Sequence, residues 1–459
     1  MNPVAIIGGG ITGLTAAHRL RQLGCPVVLY EASSRTGGVI RSVARNGFLA
    51  EAGPNTILET SPAIRTLISE LDLEPQRLYS APEACNRYIL RRGKPEAVPE
   101  SPVAFCRSRL FSWQAKLRLP FEAFVPRAAA DQEESVSAFV TRRFGREFLD
   151  YAVNPMIGGI YAGDPARLSL RHAFPRLHAA EQRYGSVLRA QWFGARERRQ
   201  RAEVAKSAAP KFSFRRGVQT LPDALHARLG GAVVLHSPVE ALRRSHAGWV
   251  LEGGGGVQER PHSAVLLAAP THRLAALRLE DGATGRQASL ESLGGLPYAP
   301  VASLVLGFRR EAVAHPLDGF GVLIPEVESR RLLGVIFSSS LFPGRAPHGH
   351  VTLTCYLGGT RSPALAVAAP QEALGAAMED LREMLGVRQE PVFTQHVAIP
   401  RAIPQYEVGF GRFRQEMERL EEELPGLYFA GHFRDGISLA DSILAGDRVA
   451  RRIHARLMP

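Results

Sequence analysis

The stretch Val4-Ala5-Ile6-Ile7-Gly8-Gly9-Gly10-Ile11-Thr12-Gly13 opens the chain, and its reading decides the fold. An apolar run of strand type breaks into glycines and then into the helical pattern Leu14-Thr15-Ala16-Ala17-His18-Arg19-Leu20. Strand, tight turn and helix in that order make a phosphate cradle. Gly8 suits the turn, Gly10 admits a pyrophosphate close to the backbone, and Gly13 lets helix pack on strand. Gly9, Ile11 and Thr12 belong to the same turn, where unpaired N–H groups and the positive end of the helix dipole favour an anion. A second strand, Val27-Val28-Leu29-Tyr30, ends in Glu31 and Ala32, and a carboxylate there can accept both hydrogen bonds of a ribose diol. The ligand implied is a dinucleotide.

Beyond Glu31, Arg35-Thr36-Gly37-Gly38 and then Arg41 place a second glycine pair beside the first phosphate turn. A nicotinamide-only site does not need that pair, whereas a flavin adenine dinucleotide does. Here the sequence resembles the flavin-containing amine oxidase and protoporphyrinogen oxidase superfamily, whose second motif has this form. The following Glu51-Ala52-Gly53-Pro54-Asn55-Thr56 is similar to that family's segment beneath the isoalloxazine ring. The resemblance implies an α/β fold: a discontinuous, Rossmann-like FAD-binding domain of glutathione-reductase type, a mixed-sheet substrate domain and a helical lobe. The expected division is 1–80, 209–285 and 405–459 for FAD, 81–99 and 286–404 for substrate, and 100–208 for the lobe.

Composition sets outer limits. With 459 residues, 45% apolar and 22% charged, the chain is globular and long enough for two or three lobes. No apolar run approaches a membrane span, and the first strand follows Met1-Asn2-Pro3 at once, leaving no room for a signal peptide; a cytoplasmic protein is expected. Cys25, Cys85, Cys106 and Cys355 are scattered without metal-ligand or disulfide spacing, so no metal site is expected. None lies near the C-terminal flavin segment, so the FAD is expected to be non-covalent. The net charge of +12, from 56 basic against 44 acidic residues, could meet nucleic acid, anionic lipid or an acidic small molecule. No nucleic-acid motif accompanies it, and no nucleic-acid partner is expected.

Along the chain, Ser61-Pro62 reads as a helix cap, with Ile64, Leu67, Ile68 and Leu71 on one buried face. Asn86 to Arg91 alternates as a strand running into a turn. In the lobe, Phe105, Leu110, Phe111, Trp113, Leu117, Leu119, Phe121 and Phe124 interleave with Arg107, Arg109, Lys116 and Arg118. Such a mixture fits peripheral contact with an anionic membrane and equally an ordinary helical lobe. The run Arg183 to Arg201 reads as a solvated helix face. A helix from Ser135 to near Val153 leads into Asn154-Pro155-Met156-Ile157-Gly158-Gly159-Ile160-Tyr161, whose paired glycines allow a flat ligand to lie against backbone. Three strand-like strings come later, around Val301 to Phe308, His315 to Pro325 and Ser338 to Pro347.

The resemblance also assigns roles. The segment around Gly159 looks more like the protoporphyrinogen oxidases than the amine oxidases, and Gly159 corresponds to the glycine facing the substrate's oxidised carbon. The strings holding Leu323 and Phe342 look like those of plant-type protoporphyrinogen oxidases, where these positions clamp the tetrapyrrole. Arg87 matches an arginine that pairs with a substrate propionate, a task suited to a planar guanidinium. Val239 matches a backbone contact to the adenine end, and Ile437, Ser438 and Leu439 match backbone donors at the flavin's pyrimidine edge. Two departures stand out: Ile399 precedes Pro404-Gln405-Tyr406 where relatives have tryptophan, and His432 follows Ala430-Gly431 where relatives have an amide or an acid.

The activity implied is FAD-dependent oxidation of a porphyrinogen by oxygen, most simply protoporphyrinogen IX to protoporphyrin IX in haem biosynthesis, with hydrogen peroxide formed. Coproporphyrinogen III is the alternative substrate. A flavin amine oxidase, a carotenoid desaturase and a partner protein with a structural flavin are the rivals. A monomer or homodimer is expected.

Overall fold

The computed structural model describes residues 1–129, 133–193, 204, 206, 208–282 and 285–458. Much of the expected run Arg183 to Arg201 therefore lies outside the described residues. Five parallel strands form the central sheet in the order Val233–Val234, Val27–Tyr30, Val4–Ile7, Ala264–Leu267 and Leu427–Phe429. The inner three of these strands are apolar at every position because both faces are covered. Val4, Ile6, Leu29 and Leu266 pack under the helices Ile11–Gln22 and Leu439–Leu457, while Ala5, Ile7, Val28 and Leu267 pack on Phe413, Met417 and Leu420 of the helix Gly411–Glu423.

A second, seven-stranded sheet runs in the order Phe393–Pro404, Tyr298–Arg309, His350–Gly358, Leu332–Ile336, Gly319–Leu323, Asn86–Arg91 and Lys94–Ala97. Only Gly319–Leu323 and Asn86–Arg91 pair parallel. One face carries Leu90, Val322, Val335, Cys355 and Leu304 into a core closed by Ala376, Ala377, Leu381 and Met384 of the helix Pro370–Leu385. Its other face is the one that matters for the site.

Ser61 caps the helix Pro62–Glu70 through its side chain, with Ile64, Leu67 and Ile68 buried as the spacing predicts. Two expectations differ. The helix from Ser135 does not run on to Val153: it spans Val136–Arg143, breaks at Gly145 with φ of 93°, and resumes as Arg146–Phe148, one π turn and then the helix Asn154–Tyr161. Gly158 and Gly159 thus present a helix flank. Ser338 to Pro347 is not a strand either. Ser338–Leu341 is a helical turn whose Ser338 hydroxyl meets Thr354 Oγ1 at 2.7 Å, and Pro343, Gly344 and Pro347 keep the backbone after that turn irregular.

Candidate active site

The helix Ile11–Gln22 begins at Gly10 with no side chain capping it, so its first N–H groups remain available. A Cβ at Gly10 would meet nothing within 4 Å, whereas one at Gly13 would lie 2.1 Å from the Gly8 carbonyl oxygen. Gly8 adopts φ of +110° and lies against the backbone of Ala269. Gly8 and Gly13 are therefore required by the protein's own packing, and Gly10 keeps space open in front of the helix end. Gly9 N donates to Glu31 Oε2 at 2.7 Å, and Glu31 Oε1 accepts from Ser33 N and Oγ, each at 2.8 Å. The carboxylate is thereby fixed on the rim, with exposed Ala32 next to it.

The second glycine pair closes on the first. Gly37 N donates to the Gly9 carbonyl at 2.8 Å, and a Cβ at Gly38 would sit 3.7 Å from Gly10 Cα. Arg35 holds this turn from within, donating to the carbonyls of Thr36, Gly38 and Ile40. Val239 starts the strand Val239–Ser245 just after Ser237, whose N–H donates to the Glu31 carbonyl at 2.9 Å.

The segment Gly53-Pro54-Asn55-Thr56 is pinned to the second sheet. Asn55 Nδ2 donates to the Tyr356 hydroxyl at 2.5 Å, and that hydroxyl lies 3.4 Å from the Gly53 carbonyl. Burial pushes the Tyr356 phenol up, so it stays neutral. A Cβ at Gly53 would lie 2.2 Å from the Val39 carbonyl oxygen.

Opposite, Ser438 caps the helix Leu439–Leu457 in a reciprocal pair with Asp441, which leaves the backbone of Ile437, Ser438 and Leu439 at a positive helix end. This helix crosses Ile11–Gln22 at Gly446, where a Cβ would lie 2.6 Å from the Thr12 carbonyl. The buried Tyr406 fixes the preceding turn: its hydroxyl donates to the His432 carbonyl at 2.5 Å and accepts from Gly436 N at 3.0 Å. His432 itself packs edge-on against Tyr298 at 5.8 Å between ring centroids. Burial, and then the neighbouring His272, push its pKa down to about 4, so its ring is neutral near pH 7.

The open face of the second sheet is a set of transverse rows. Residues in register share a face, and one row reads Ile89, Leu323, Gly334, Tyr356, Ser303 and Val397. The next begins Arg87, Gly321, Ile336 and Thr354. Gly159 comes down onto this face, where a Cβ would lie 2.5 Å from Leu323 Cδ2. The helix bearing it is held at both ends. Asn154 Oδ1 accepts from Glu326 N at 2.9 Å and from Arg361 Nη2 at 3.3 Å, and Gln405 Nε2 donates to the Tyr161 carbonyl at 2.8 Å.

The structure thus brings Gly159 and Leu323 into contact, with exposed Arg87 one row away. Phe342 sits apart, buried with Ala84 and Leu341 beneath the guanidinium of Arg345, which lies 5.4 Å from its ring centre. Arg345 is itself buried, 3.5 Å from Glu51 and bonded to Ser213 Oγ at 2.7 Å. Sequence reasoning missed Tyr356, Gly334 and Arg345, because only strand register assembles them. Gln405 and Tyr406 were visible as a motif, though not as a brace.

The sequence pattern of the flavin containing amine oxidoreductases matches residues 11–454. The chain belongs to that family. Within it, the chain is 33% identical over 473 residues to protoporphyrinogen oxidase 2, chloroplastic/mitochondrial, of Arabidopsis thaliana, covering 97% of this chain and 92% of that one. It is 28% identical to coproporphyrinogen III oxidase of Bacillus subtilis, covering 96% of each. In fold it is similar to a crystal structure of a protein from Exiguobacterium, with a TM-score of 0.82, 21% identity and 99% of both chains covered. It is an FAD-dependent oxidoreductase. The cradle fits that cofactor: space before Gly10, a carboxylate on its rim, and two uncapped or backbone-presenting helix ends beside it.

Proposed function

We propose that this member of the family oxidises protoporphyrinogen IX to protoporphyrin IX in haem biosynthesis, with oxygen as the final acceptor and hydrogen peroxide as its product. The contact of Gly159 with Leu323, on a sheet face that also carries Arg87, is the observation that supports this reading best. Bound FAD supplies the hydride acceptor. Gly8, Gly9, Gly10, Ile11, Thr12 and Gly13, with Gly37 and Gly38, would hold its pyrophosphate, and Glu31 its ribose. Arg35 shapes that turn, and Ala32 and Val239 border the adenine side. Gly53, Pro54, Asn55 and Thr56 would lie beneath the ring, with Ile437, Ser438 and Leu439 at its pyrimidine edge.

Around the substrate, Leu323 and Gly159 orient the macrocycle and exclude water, and Arg87 takes a propionate. Phe342 backs this wall from beneath. Residues 1–80, 209–285 and 405–459 act as the FAD-binding domain, 81–99 and 286–404 as the substrate domain, and 100–208 as the lobe. On the lobe, Trp113, Leu117, Phe121 and Phe124 are each at least 65% exposed beside Lys116 and Arg118. No helix among the described residues is long and apolar enough to cross a membrane. An anionic membrane surface would suit these side chains, and binding to phosphatidylglycerol vesicles, abolished in Trp113→Ser/Phe121→Ser, tests that contact.

The catalytic reading is tested by adding protoporphyrinogen to the yellow holoenzyme without air. Bleaching of the flavin, and oxygen uptake on re-aeration, are expected. Uptake with amines but not porphyrinogens would overturn it. A faster turnover of coproporphyrinogen III would move the assignment to that substrate, the one named for the Bacillus subtilis relative.

A further inference from the structure

Lys211 begins the strand Lys211–Phe214, which pairs with Leu58 on one side and with Arg77 to Tyr79 on the other. Alternation sends Phe212 and Phe214 into the core around the helix Ile11–Gln22 and puts Lys211 and Ser213 on the opposite side. That side faces the Phe342 segment: Ser213 Oγ accepts from Arg345, which covers the Phe342 ring. The backbone beside Lys211 leads the same way. Its carbonyl accepts from Ser80 N at 2.9 Å, and the next residue, Ala81, donates to the Leu341 carbonyl at 2.9 Å.

The Lys211 ammonium is half-buried. Burial and then the positive charge of Arg87 both push its pKa down. Among the described residues no carboxylate pairs with it. Holding an ammonium partly out of water beside a guanidinium is unfavourable unless an anion enters the space between them. The structural surroundings do not supply that anion, and a carboxylate-bearing ligand would.

We propose that Lys211 is the second cation of the propionate site, gripping the same substrate carboxylate as Arg87. This rests on the porphyrinogen reading above. Lys211 is a binding and specificity residue: it acts on the acidic side chain of the macrocycle and leaves the oxidised carbon to Gly159 and Leu323.

The experiment compares the wild-type holoenzyme with Lys211→Met and Lys211→Arg, using protoporphyrinogen kinetics and equilibrium titration with protoporphyrin IX and its dimethyl ester. Lys211→Met is expected to raise KM and weaken protoporphyrin binding about tenfold, the scale of one charge-assisted hydrogen bond, with kcat and ester binding unchanged. Lys211→Arg should restore the preference for the free acid. Lys211→Gln replaces the methionine variant if that one loses FAD. Diacid binding as tight as wild type in Lys211→Met, or an equal loss for acid and ester, would overturn the Lys211 assignment while wild-type turnover kept the catalytic reading intact. A wild-type enzyme that neither oxidised protoporphyrinogen nor bound protoporphyrin would overturn both.

Discussion

The dinucleotide cradle and the substrate wall are built in opposite ways. The cradle comes largely from backbone in segments close together in sequence, where Gly8, Gly13 and Gly37 allow main chain to touch main chain or close a turn. The wall comes from side chains on strands hundreds of residues apart, brought level by register alone. A backbone site tolerates no side chain at its contact points. A register site tolerates many substitutions but depends on long-range pairing.

Four changes would break or sharpen that contrast. Gly13→Val should have the largest effect, because its side chain would collide with a carbonyl that cannot move without opening the turn. Loss of the flavin absorbance and a strongly lowered urea midpoint are expected, and a normally yellow variant would refute the packing account. Arg345→Met comes next. It leaves Glu51 buried without its counter-ion, a loss of about 3–5 kcal/mol by urea unfolding. Combining it with Glu51→Gln should cost less than the sum of the two single changes.

Gly159→Ala meets only the tip of Leu323, so FAD and stability should survive. Porphyrinogen kcat/KM should fall about ten- to a hundredfold from misplacement of the macrocycle, and Leu323→Ala should recover part of it. Failure of that recovery would separate the two residues. The smallest effect concerns pH. His432 has a folded-state pKa lowered to about 4, so the unfolded chain binds the proton first as pH falls. Stability should be full above about pH 6.5, the ordinary histidine value, and should decline toward pH 4. His432→Asn should flatten that decline in thermal melts of the FAD-free protein; an unchanged slope would move the effect to the other buried histidines.

The same contrast explains what was legible in the sequence. The glycine turn, Glu31, the parallel strands and the last helix could all be read, because each is a local pattern of a few residues with a fixed spacing. Arg87, Gly159 and Leu323 could be proposed only through family resemblance, since nothing local marks an arginine on a strand or a glycine in a helix as facing a ligand. Tyr356 and Arg345 were beyond reach: their partners, Asn55 and Glu51, lie about three hundred residues away. The helix expected to reach Val153 failed at Gly145, whose positive φ ends one helix and redirects the next. Ser338 to Pro347 looked extended because its serines and phenylalanine favour strands, and a side-chain bond to Thr354 outweighed that preference.

The row from Ile89 through Leu323 and Gly334 to Tyr356 has an evolutionary corollary. Each member is a point where swapping one residue for another can reshape the fit to a tetrapyrrole. Adding or deleting a single residue within Gly319–Leu323 would instead turn Leu323 toward the helix Pro370–Leu385 and bring its neighbour out in its stead. Divergence in substrate choice among such enzymes should therefore accumulate as point replacements inside these strands, with changes of length confined to the loops between them.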